Sequence, residues 1–355
     1  MSYFSIPAQT NPAIFSPLAV VGGWVELGRH TLGSPGDTLE VGSLPNKEYY
    51  MILWNGIATG NLDDCHLRMG NTTIDTGSNY SSRYQTSGGA DTAATSQSSI
   101  IIDKNNGAFN TFGQFFISNL SGQEKIFQGH RVKSNTAGAA NAPLRLEATG
   151  KWVNTSNPLD ILRITNIGSG SFDTGSEMIV LGWDPADTHT TNFWEELASE
   201  DLSGGVSDTL NSSTFTAKKY LWVQAYLEST GGAVTQTFRM GASGSIDTGT
   251  NYARRYSING GADVTEVSKT SAGEDNNTSG ALFANYFIVN NSATEKLVTG
   301  HAIQYNTAGA AAAPNRTEIS SKWTNTSAQA NIVGFANAGV GDYGTKSILK
   351  VWGSD

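Results

Sequence analysis

The chain has 355 residues, of which 38% are hydrophobic and only 15% are charged, and its formal net charge is −9 at pH 7. Nucleic-acid binding needs a basic surface, so this acidic chain without a Lys or Arg cluster argues against a nucleic-acid partner. Low charge together with 40 Gly residues favours short strands joined by turns over solvent-facing helices.

Residues 1–23 carry Pro, Ser and Asn among isolated apolar side chains, which predicts an extended N-terminal arm. The arm has no basic segment and Pro interrupts its apolar residues, so no signal peptide is predicted. No apolar run in the chain approaches the roughly 18 residues of a membrane span, and no membrane partner is expected. Two interpretations of the arm remain open, a frayed terminus or a peptide that docks on a neighbouring subunit. In the second, the docking residues are Phe4, Ile6, Ile14 and Phe15.

The rest of the chain contains an internal duplication. The stretch 68–91 recurs as 239–263 with Arg-Met-Gly, Ile-Asp-Thr-Gly, Asn-Tyr, Arg-Tyr and Gly-Gly-Ala-Asp in the same order, and with one residue inserted. From Asp37 onward, matched pairs outside this stretch keep an offset of 171, as Gly129-His130 does with Gly300-His301. A match of this length predicts two units built from the same strands and loops. The predicted divisions are an arm (1–23), copy one (24–183), a link (184–193) and copy two (194–355).

Within each copy the apolar pattern has the period of two that is typical of β-strands. In the stretch 220–227, Leu221 and Val223 point to one face while Tyr220 and Trp222 point to the other. Strands are predicted at 50–57, 113–119, 124–133, 145–152, 160–167 and 177–183, and at 220–227, 284–290, 295–304, 316–323, 330–337 and 347–352. The one predicted helix is a turn or two within 193–202.

Units of about 160 residues with many short strands predict an all-β protein. We expect two tandem antiparallel β-sandwiches, each resembling a jelly roll of eight strands, with the extended arm in front. The short link predicts that the two sandwiches lie side by side.

The sequence lacks the usual enzyme motifs, including the nucleophile elbow, the zinc-binding pairs and the P-loop. A Gly-x-Gly-x-x-Gly match at 339–344 precedes a predicted strand, so we expect a β-turn rather than a dinucleotide site. The single Cys65 excludes an intrachain disulfide and is predicted to be a buried thiol. A glycosidase needs two carboxyls roughly 5 to 9.5 Å apart, and no sequence spacing brings two together. We therefore predict no catalytic residue, no cofactor and no resident metal.

Candidate ligand-binding residues cluster in the duplicated signature. The Asp-Thr-Gly triplets at Asp75 and Asp247 predict turns in which Asp accepts backbone hydrogen bonds. The same oxygens would suit Ca²⁺, although the EF-hand pattern is absent. Arg83 and Arg255 are expected to pair with these Asp residues and brace the loop.

Trp152 and Trp323 begin a repeated Trp-x-Asn-Thr-Ser turn and are expected to be core residues, with sugar stacking as the alternative. The hypothetical glycan or calcium site comprises Asp75, Asn79, Arg83 and Trp152, with Asp247, Asn251, Arg255 and Trp323 in copy two. His130 and His301 are expected to be core or rim histidines, and a pH switch is the alternative.

The chain resembles a repeat found in virion proteins of tailed bacteriophages, in fibre, decoration and other particle-surface proteins. The motifs that carry the resemblance are Asn251-Tyr-Ala-Arg-Arg-Tyr-Ser-Ile-Asn-Gly-Gly-Ala-Asp, Gly300-His301, Asn306-Thr-Ala-Gly-Ala and Lys322-Trp323-Thr-Asn-Thr-Ser. The resemblance covers both copies and leaves the arm unmatched. Copy one departs from it with Ser81-Ser82 before Arg83, and with Leu144 where copy two has Asn315. Two tandem jelly rolls are also similar to the double jelly-roll major capsid proteins of tailless viruses.

The resemblance implies a non-enzymatic structural protein on a virus or phage particle, assembled in the host cytoplasm and acting through subunit contacts. Its partners would be other virion proteins and further copies of itself, a trimer being one closed form. Two alternatives remain open: a glycan-binding module for host attachment, and a polysaccharide-cleaving enzyme that would use Asp75 and Glu147 with their copy-two counterparts.

Overall fold

The computed structural model describes residues 23–62, 64–104, 107–185, 187, 191–305 and 309–355, and only the backbone of 275–278. The proposed docking residues of the arm, Phe4, Ile6, Ile14 and Phe15, lie outside the described residues. The described part is all-β, and none of its segments forms a helix that could cross a membrane.

Strands of copy one follow one another in short lengths throughout its described residues. They are β1 (Val25–Thr31), β2 (Thr38–Val41), β3 (Tyr49–Gly56), β4 (Ala58–Thr59), β5 (Cys65–Asn71), β6 (Thr73–Ile74), β7 (Tyr80–Thr86), β8 (Thr92–Gln97), β9 (Ile100–Asp103), β10 (Thr111–Ser118), β11 (Lys125–Lys133), β12 (Leu144–Trp152), β13 (Ile161–Asn166), β14 (Ser171–Phe172) and β15 (Glu177–Trp183).

Copy two repeats this succession strand for strand. Its strands are β16 (Glu195–Asp201), β17 (Thr209–Asn211), β18 (Tyr220–Leu227), β19 (Ser229–Thr230), β20 (Val234–Ala242), β21 (Ser245–Ile246), β22 (Tyr252–Ile258), β23 (Val264–Lys269), β24 (Gly273–Thr278), β25 (Leu282–Val289), β26 (Lys296–Gln304), β27 (Asn315–Trp323), β28 (Ile332–Asn337), β29 (Asp342–Tyr343) and β30 (Ile348–Ser354).

Each copy is an antiparallel sandwich of an eight-stranded and a five-stranded sheet, which we call its large and small sheets. The large sheet has the order β1-β15-β3-β10-β11-β12-β7-β8 in copy one and β16-β30-β18-β25-β26-β27-β22-β23 in copy two. The small sheets, β2-β13-β5-β6 with β9 on β5, and β17-β28-β20-β21 with β24 on β20, also correspond. A two-stranded ribbon completes each copy, β14-β4 in one and β19-β29 in the other. The sandwich is therefore larger than the eight strands expected from a simple jelly roll.

The central strand β3 of the large sheet of copy one is buried on both faces. On β3, Tyr50, Ile52 and Trp54 point inward to the core between the two sheets, while Met51 and Leu53 point outward and are equally buried. A strand covered on both faces needs a near-continuous apolar run, which the stretch 50–57 provides. Copy two covers the outer face of the sheet at β3, whereas Ile126 on β11 stays 61% exposed.

An apolar cluster joins the outer faces of the two large sheets. Copy one contributes side chains from the outer face of its large sheet. The end of the link and copy two contribute the side chains that face them. The buried members are Met51, Leu53, Phe112, Val132, Ile179 and Leu181, facing Phe193, Trp194, Tyr220, Phe287, Val289 and Leu297. The expected side-by-side placement is thus a sheet-on-sheet contact with its own core.

The predicted helix at 193–202 is wrong. Residues Glu195–Asp201 form β16, which pairs with β30 at the edge of the large sheet, as β1 pairs with β15 in copy one. Ladder hydrogen bonds and the half-buried edge position outweigh the helix propensity of Glu, Leu and Ala. The β-turn predicted at 339–344 is displaced: residues 339–341 form a bend, Asp342–Tyr343 form β29, and the turn follows at 345–346.

Candidate functional site: the contact between the two copies

The duplicated Asp-Thr-Gly turns are closed by hydrogen bonds from their own surroundings. The Asp75 carboxylate accepts bonds from the Gly77 amide (2.8 Å), the Asn79 side-chain amide (2.9 Å) and the Trp152 indole N–H (2.8 Å). Burial opposes ionisation of Asp75, but these hydrogen bonds outweigh it and lower the pKa of the carboxyl. The carboxylate therefore braces the turn.

Copy two repeats this arrangement. The Asp247 carboxylate accepts from the Gly249 amide (2.8 Å), the Asn251 amide (2.9 Å) and the Trp323 indole (2.7 Å). Both indole rings are 1% exposed. The core interpretation of the tryptophans is thus confirmed, and neither ring offers a face on which a sugar could stack.

The expected pairing of Arg83 and Arg255 with the two turn aspartates is wrong. Arg83 Nη1 lies 3.6 Å from Asp91, and Arg255 Nη1 lies 3.8 Å from Asp263. Successive side chains of a strand alternate between faces, and Tyr80, which faces the core near Asp75, is an odd number of residues from Arg83. The guanidinium therefore lies on the outer face of the sheet.

No group of three or more His, Cys, Asp or Glu side chains is placed to hold a metal ion within the described ranges. The Cys65 thiol is fully buried, and burial raises its pKa well above the ordinary value, which suits a structural role.

A cleft of about 770 Å³ lies where the outer faces of the two large sheets diverge. Equivalent residues of the two copies line it from opposite sides. The repeated pairs are Gln114 with Asn285, Phe116 with Phe287, His130 with His301, and Glu147 with Glu318. The contact between copies therefore brings together residues that stand 171 positions apart in the sequence.

His130 and His301 meet inside this cleft. Their rings pack edge to face with centroids 4.1 Å apart, and His130 Nδ1 lies 3.9 Å from the Glu147 carboxylate. Burial, followed by the neighbouring His301 and Arg145, holds the pKa of His130 well below its ordinary value. Burial also lowers the pKa of His301, against the opposing effect of Glu318. Both rings are therefore neutral at pH 7.

Arg145 links the two copies through ion pairs. Its guanidinium is buried, contacts Glu147 of its own copy, and lies 2.6 Å from Asp263 and 3.2 Å from Glu318 of copy two. The Gln85 side chain accepts a further bond of 3.1 Å. A planar guanidinium has enough N–H donors to satisfy several acceptors at once. Glu147 and its copy-two counterpart Glu318 thus share the Arg145 guanidinium as an ion-pair partner.

A second polar contact captures a loop of copy one on copy two. The Lys322 ammonium donates to the Ser134 and Thr136 carbonyls (3.1 and 2.7 Å) and to Glu295 (3.1 Å). The Glu295 carboxylate in turn accepts from the Gly138 amide at 2.6 Å. Burial lowers the pKa of Lys322, while Glu295 opposes this. Sequence reasoning missed this site, although Glu124 and Lys151 match Glu295 and Lys322 and the hexapeptide Asn-Thr-Ala-Gly-Ala-Ala occurs in both copies.

A third contact lies at the other end of the interface. Buried Glu177 of copy one accepts hydrogen bonds from the Lys219 ammonium and the Tyr220 hydroxyl of copy two, each at 2.9 Å. Burial opposes its ionisation, but these bonds and one from Thr31 lower its pKa. Charged, hydrogen-bonded groups thus surround the apolar cluster that joins the sheets.

No family model matches this chain. No curated protein matches it either. Among solved structures, it has a weak likeness to the LG1-3 region of the laminin alpha2 chain, with 7% identity and a TM-score of 0.22. That match covers 89% of this chain, which spans 64% of that structure's length. Mouse laminin alpha1 domains LG4-5 give 9% identity and a TM-score of 0.18, over 93% of this chain and 89% of that one. Likenesses this weak carry no functional argument.

Proposed function

We propose that the protein is a non-enzymatic structural subunit on the surface of a virus or phage particle, acting through contacts between β-sheets. A capsid-associated, decoration or fibre protein would each fit, and a double jelly-roll capsid protein is the alternative within this class. The observation that supports the proposal is the apolar cluster between the two large sheets. Apolar burial with good packing is how subunits of stable assemblies hold together.

The arrangement of the polar residues also favours a structural role. Asp75 and Asp247 are engaged in turn hydrogen bonds, while Glu147 and Glu318 pair with Arg145. Carboxylates held in this way fix local geometry and charge.

Imaging of purified particles tests this proposal. Immunogold labelling with an antibody to copy two should decorate particles, and mass spectrometry of the same particles should recover the chain in many copies. A protein that remains in the soluble fraction and never accompanies particles would contradict the proposal.

A second candidate, a glycan-binding module for host attachment, is supported by one feature of the cleft. The Gln114 side chain is buried and lines the cleft, and its Nε2 donates to no acceptor in the described part of the chain. Phe116 and Phe287 also line the cleft, and an amide beside aromatic rings is a common pattern in sugar sites.

A glycan array tests this second candidate. Binding should appear with the unmodified protein and fall at least tenfold in Gln114→Ala. Gln97→Ala serves as the matched control, since the Gln97 side chain is exposed and donates to the Thr95 carbonyl of its own strand. Silence across the array would leave the structural role alone.

A further inference from the structure

The contact between the two copies is closed at one end and open at the other. At the closed end, Phe112 of copy one packs against Tyr220 of copy two with ring centroids 6.3 Å apart, and both side chains are buried. Exchanging the copies turns this pair into Phe283 and Tyr49. Phe283 is 46% exposed and Tyr49 is half-buried. The open end thus carries the equivalents of the residues that pack at the closed end.

The central strands β11 and β26 show the same difference. Val132 and Leu297 belong to the apolar cluster between the copies and are at most 1% exposed. Their counterparts Ile303 and Ile126 are 53% and 61% exposed. Ile303 lines the cleft from copy two, and Gln128, the outward-facing neighbour of Ile126 on β11, lines it from copy one. Exposed apolar side chains thus lie beside the cleft on both copies.

Equivalent residues meet one another between the two ends. The rings of His130 and His301 pack with centroids 4.1 Å apart, and the Arg145 guanidinium binds both Glu147 and its counterpart Glu318. Equivalent residues that touch lie close to the axis of a two-fold contact, in which every contact would occur twice. The contact between the copies therefore has two equivalent ends, of which the described structure closes one.

We propose that the two sandwiches rock about the histidine pair, between the described arrangement and a second one in which the open end closes. In the second arrangement Phe283 packs against Tyr49, and the cleft opens instead at Phe112 and Val132. The movement exchanges an exposed apolar half-surface on copy two for another on copy one. This inference concerns the contact within one chain and is independent of the virion role.

The apolar free energies of the two arrangements largely cancel. Closing the open end buries Phe283, Ile303 and Ile126, while opening the other end exposes side chains of similar size such as Phe112 and Val132. Apolar stabilisation is roughly proportional to the area removed from water, so little net change remains. Packed interfaces switch between discrete arrangements rather than deforming continuously, which favours two states over a continuum.

An ion pair favours the described arrangement. At the closed end the Glu177 carboxylate accepts hydrogen bonds of 2.9 Å from the Lys219 ammonium and from the Tyr220 hydroxyl. The counterparts of Glu177 and Lys219 are Ile348 and Glu48, which cannot form this pair. The described arrangement is therefore the more populated one, and removing the ion pair should raise the population of the second.

The contact of Lys322 adds to the same preference. Lys322 lies opposite Leu297 in the ladder and donates to two carbonyls of copy one. Its counterpart Lys151 lies opposite Ile126 and pairs with Glu124 at the surface. The cation that holds the closed end thus has an equivalent at the open end.

Double electron–electron resonance between spin labels on Lys151→Cys and Arg316→Cys tests the inference. Both side chains are exposed and stand opposite Ile126 and Ile303 in their ladders, so the labels report the width of the open end and leave its apolar residues intact. The native Cys65 is buried and takes no label. Two distances should appear, a longer one for the described arrangement and a shorter, less populated one for the second.

Removing the ion pair should shift the populations. Glu177→Ala should raise the fraction at the shorter distance at least threefold, and Lys219→Gln, which removes the same pair from copy two, should act alike. Glu195→Ala is the matched control, because Glu195 is an exposed partner of Lys218. Melting curves should show that the variants are folded, and dilution with unlabelled chain excludes distances between molecules. A single distance in all of these variants would overturn the inference.

A second set of variants shows whether the apolar residues make the closure. In the Glu177→Ala background, Phe283→Asp or Ile126→Asp should reduce the fraction at the shorter distance at least tenfold, because closure would remove the new carboxylate from water. Val340→Asp, at an 89% exposed position, should leave this fraction unchanged. A shorter distance that persists in both Asp variants would show that the sandwiches loosen without packing, and this would overturn the proposed arrangement.

Discussion

Trp323 and Trp152 each combine a core side chain with a hydrogen-bond donor to a turn carboxylate. Each indole lies beside a stacked tyrosine, Tyr252 or Tyr80, whose hydroxyl binds the backbone of the strand before the turn. The ring fills the core and its N–H reaches the edge of the core. The tryptophan of the Trp-x-Asn-Thr-Ser motif therefore fixes the Asp-Thr-Gly turn to the large sheet.

Trp323→Phe should destabilise the protein. The change removes one donor to Asp247 and leaves a small void, and together these cost about 2 kcal/mol of unfolding free energy. Chemical denaturation measures the loss. Trp152→Phe should give a similar loss because its contacts are the same, and a neutral result in both would contradict the bracing role.

Asp103 sits in the core of copy one with two cations, Arg131 and Lys133, at full burial. Asp103→Asn would leave two buried positive charges without their carboxylate, which should cost about 3 to 5 kcal/mol of unfolding free energy. Asp91→Asn is the control, since the Asp91 side chain is largely exposed and should change stability by less than about 0.5 kcal/mol. Equal effects of the two changes in thermal denaturation would refute this account.

The histidine pair predicts a pH dependence. Burial lowers the pKa of His130 and His301 in the folded protein, so protons bind the unfolded chain more readily below its ordinary histidine pKa of about 6.5. Stability should therefore fall as the pH is lowered from 7 to 5. Facing groups act in both directions, because Arg145 opposes protonation while Glu147 and Glu318 favour it.

The double variant His130→Gln/His301→Gln checks this dependence. The slope of unfolding free energy against pH between 5 and 7 should become shallower than in the unmodified chain. An unchanged slope in the double variant would show that other groups govern it.

At the scale of elements, most strand positions follow from the sequence because side chains alternate between a core and a second face. The predicted strands at 177–183 and 220–227 coincide with β15 and β18. The segment 193–202 misleads because its local propensity is helical, whereas pairing with β30 makes it a strand. The correspondence of Trp24-Val-Glu-Leu with Trp194-Glu-Glu-Leu contains the signal for a strand.

The site was less accessible to prediction than the fold. Repetition identifies the Asp75 and Asp247 turns, but their local hydrogen bonds depend on strand direction and on which face each side chain occupies. The Arg145 contacts with Asp263 and Glu318 join residues more than a hundred positions apart. Such contacts depend on how the two folded sheets pack against each other. The alternation of side chains within one sheet does not encode that packing.

Close packing between strands makes Gly300 sensitive to substitution. A Cβ at Gly300 would lie 2.2 Å from the Tyr286 ring, so Gly300→Ala should force the ring aside and cost about 1 to 3 kcal/mol. Gly33→Ala is the control, because nothing lies within 4 Å of a Cβ there. Denaturant midpoints measure both, and a tolerated Gly300→Ala would contradict the packing.

At the scale of the molecule, the two sandwiches are held by a shared core together with ion pairs at its borders. Because Phe112, Val132 and Leu181 would become exposed without copy two, copy one alone should be less soluble than the full chain. The link adds Phe193 to the same core, and its backbone amide donates to the Trp24 carbonyl at 2.7 Å. Phe193 thus fixes the end of the link to copy one and to the core shared by the two copies.

Glu177→Ala should loosen this contact without unfolding either sandwich. The change leaves Lys219 and the Tyr220 hydroxyl without their acceptor, at a cost of about 2 kcal/mol. Hydrogen exchange should rise along β18 and β15 more than in the small sheets. Glu195→Ala, which removes an exposed partner of Lys218, should leave exchange unchanged. Uniform acceleration throughout the chain would mean that the sandwiches themselves had opened.

Equivalent positions of the two copies are unequally buried, and this has a consequence for rearranged genes. The exposed side chains of Phe283 and Ile303 are as apolar as those of their buried counterparts Phe112 and Val132. A polypeptide encoded in the reverse order, with the second sandwich first, keeps the residues of the present contact and should rebuild it. Phe283 and Ile303 would then stay as exposed as they are in the natural chain.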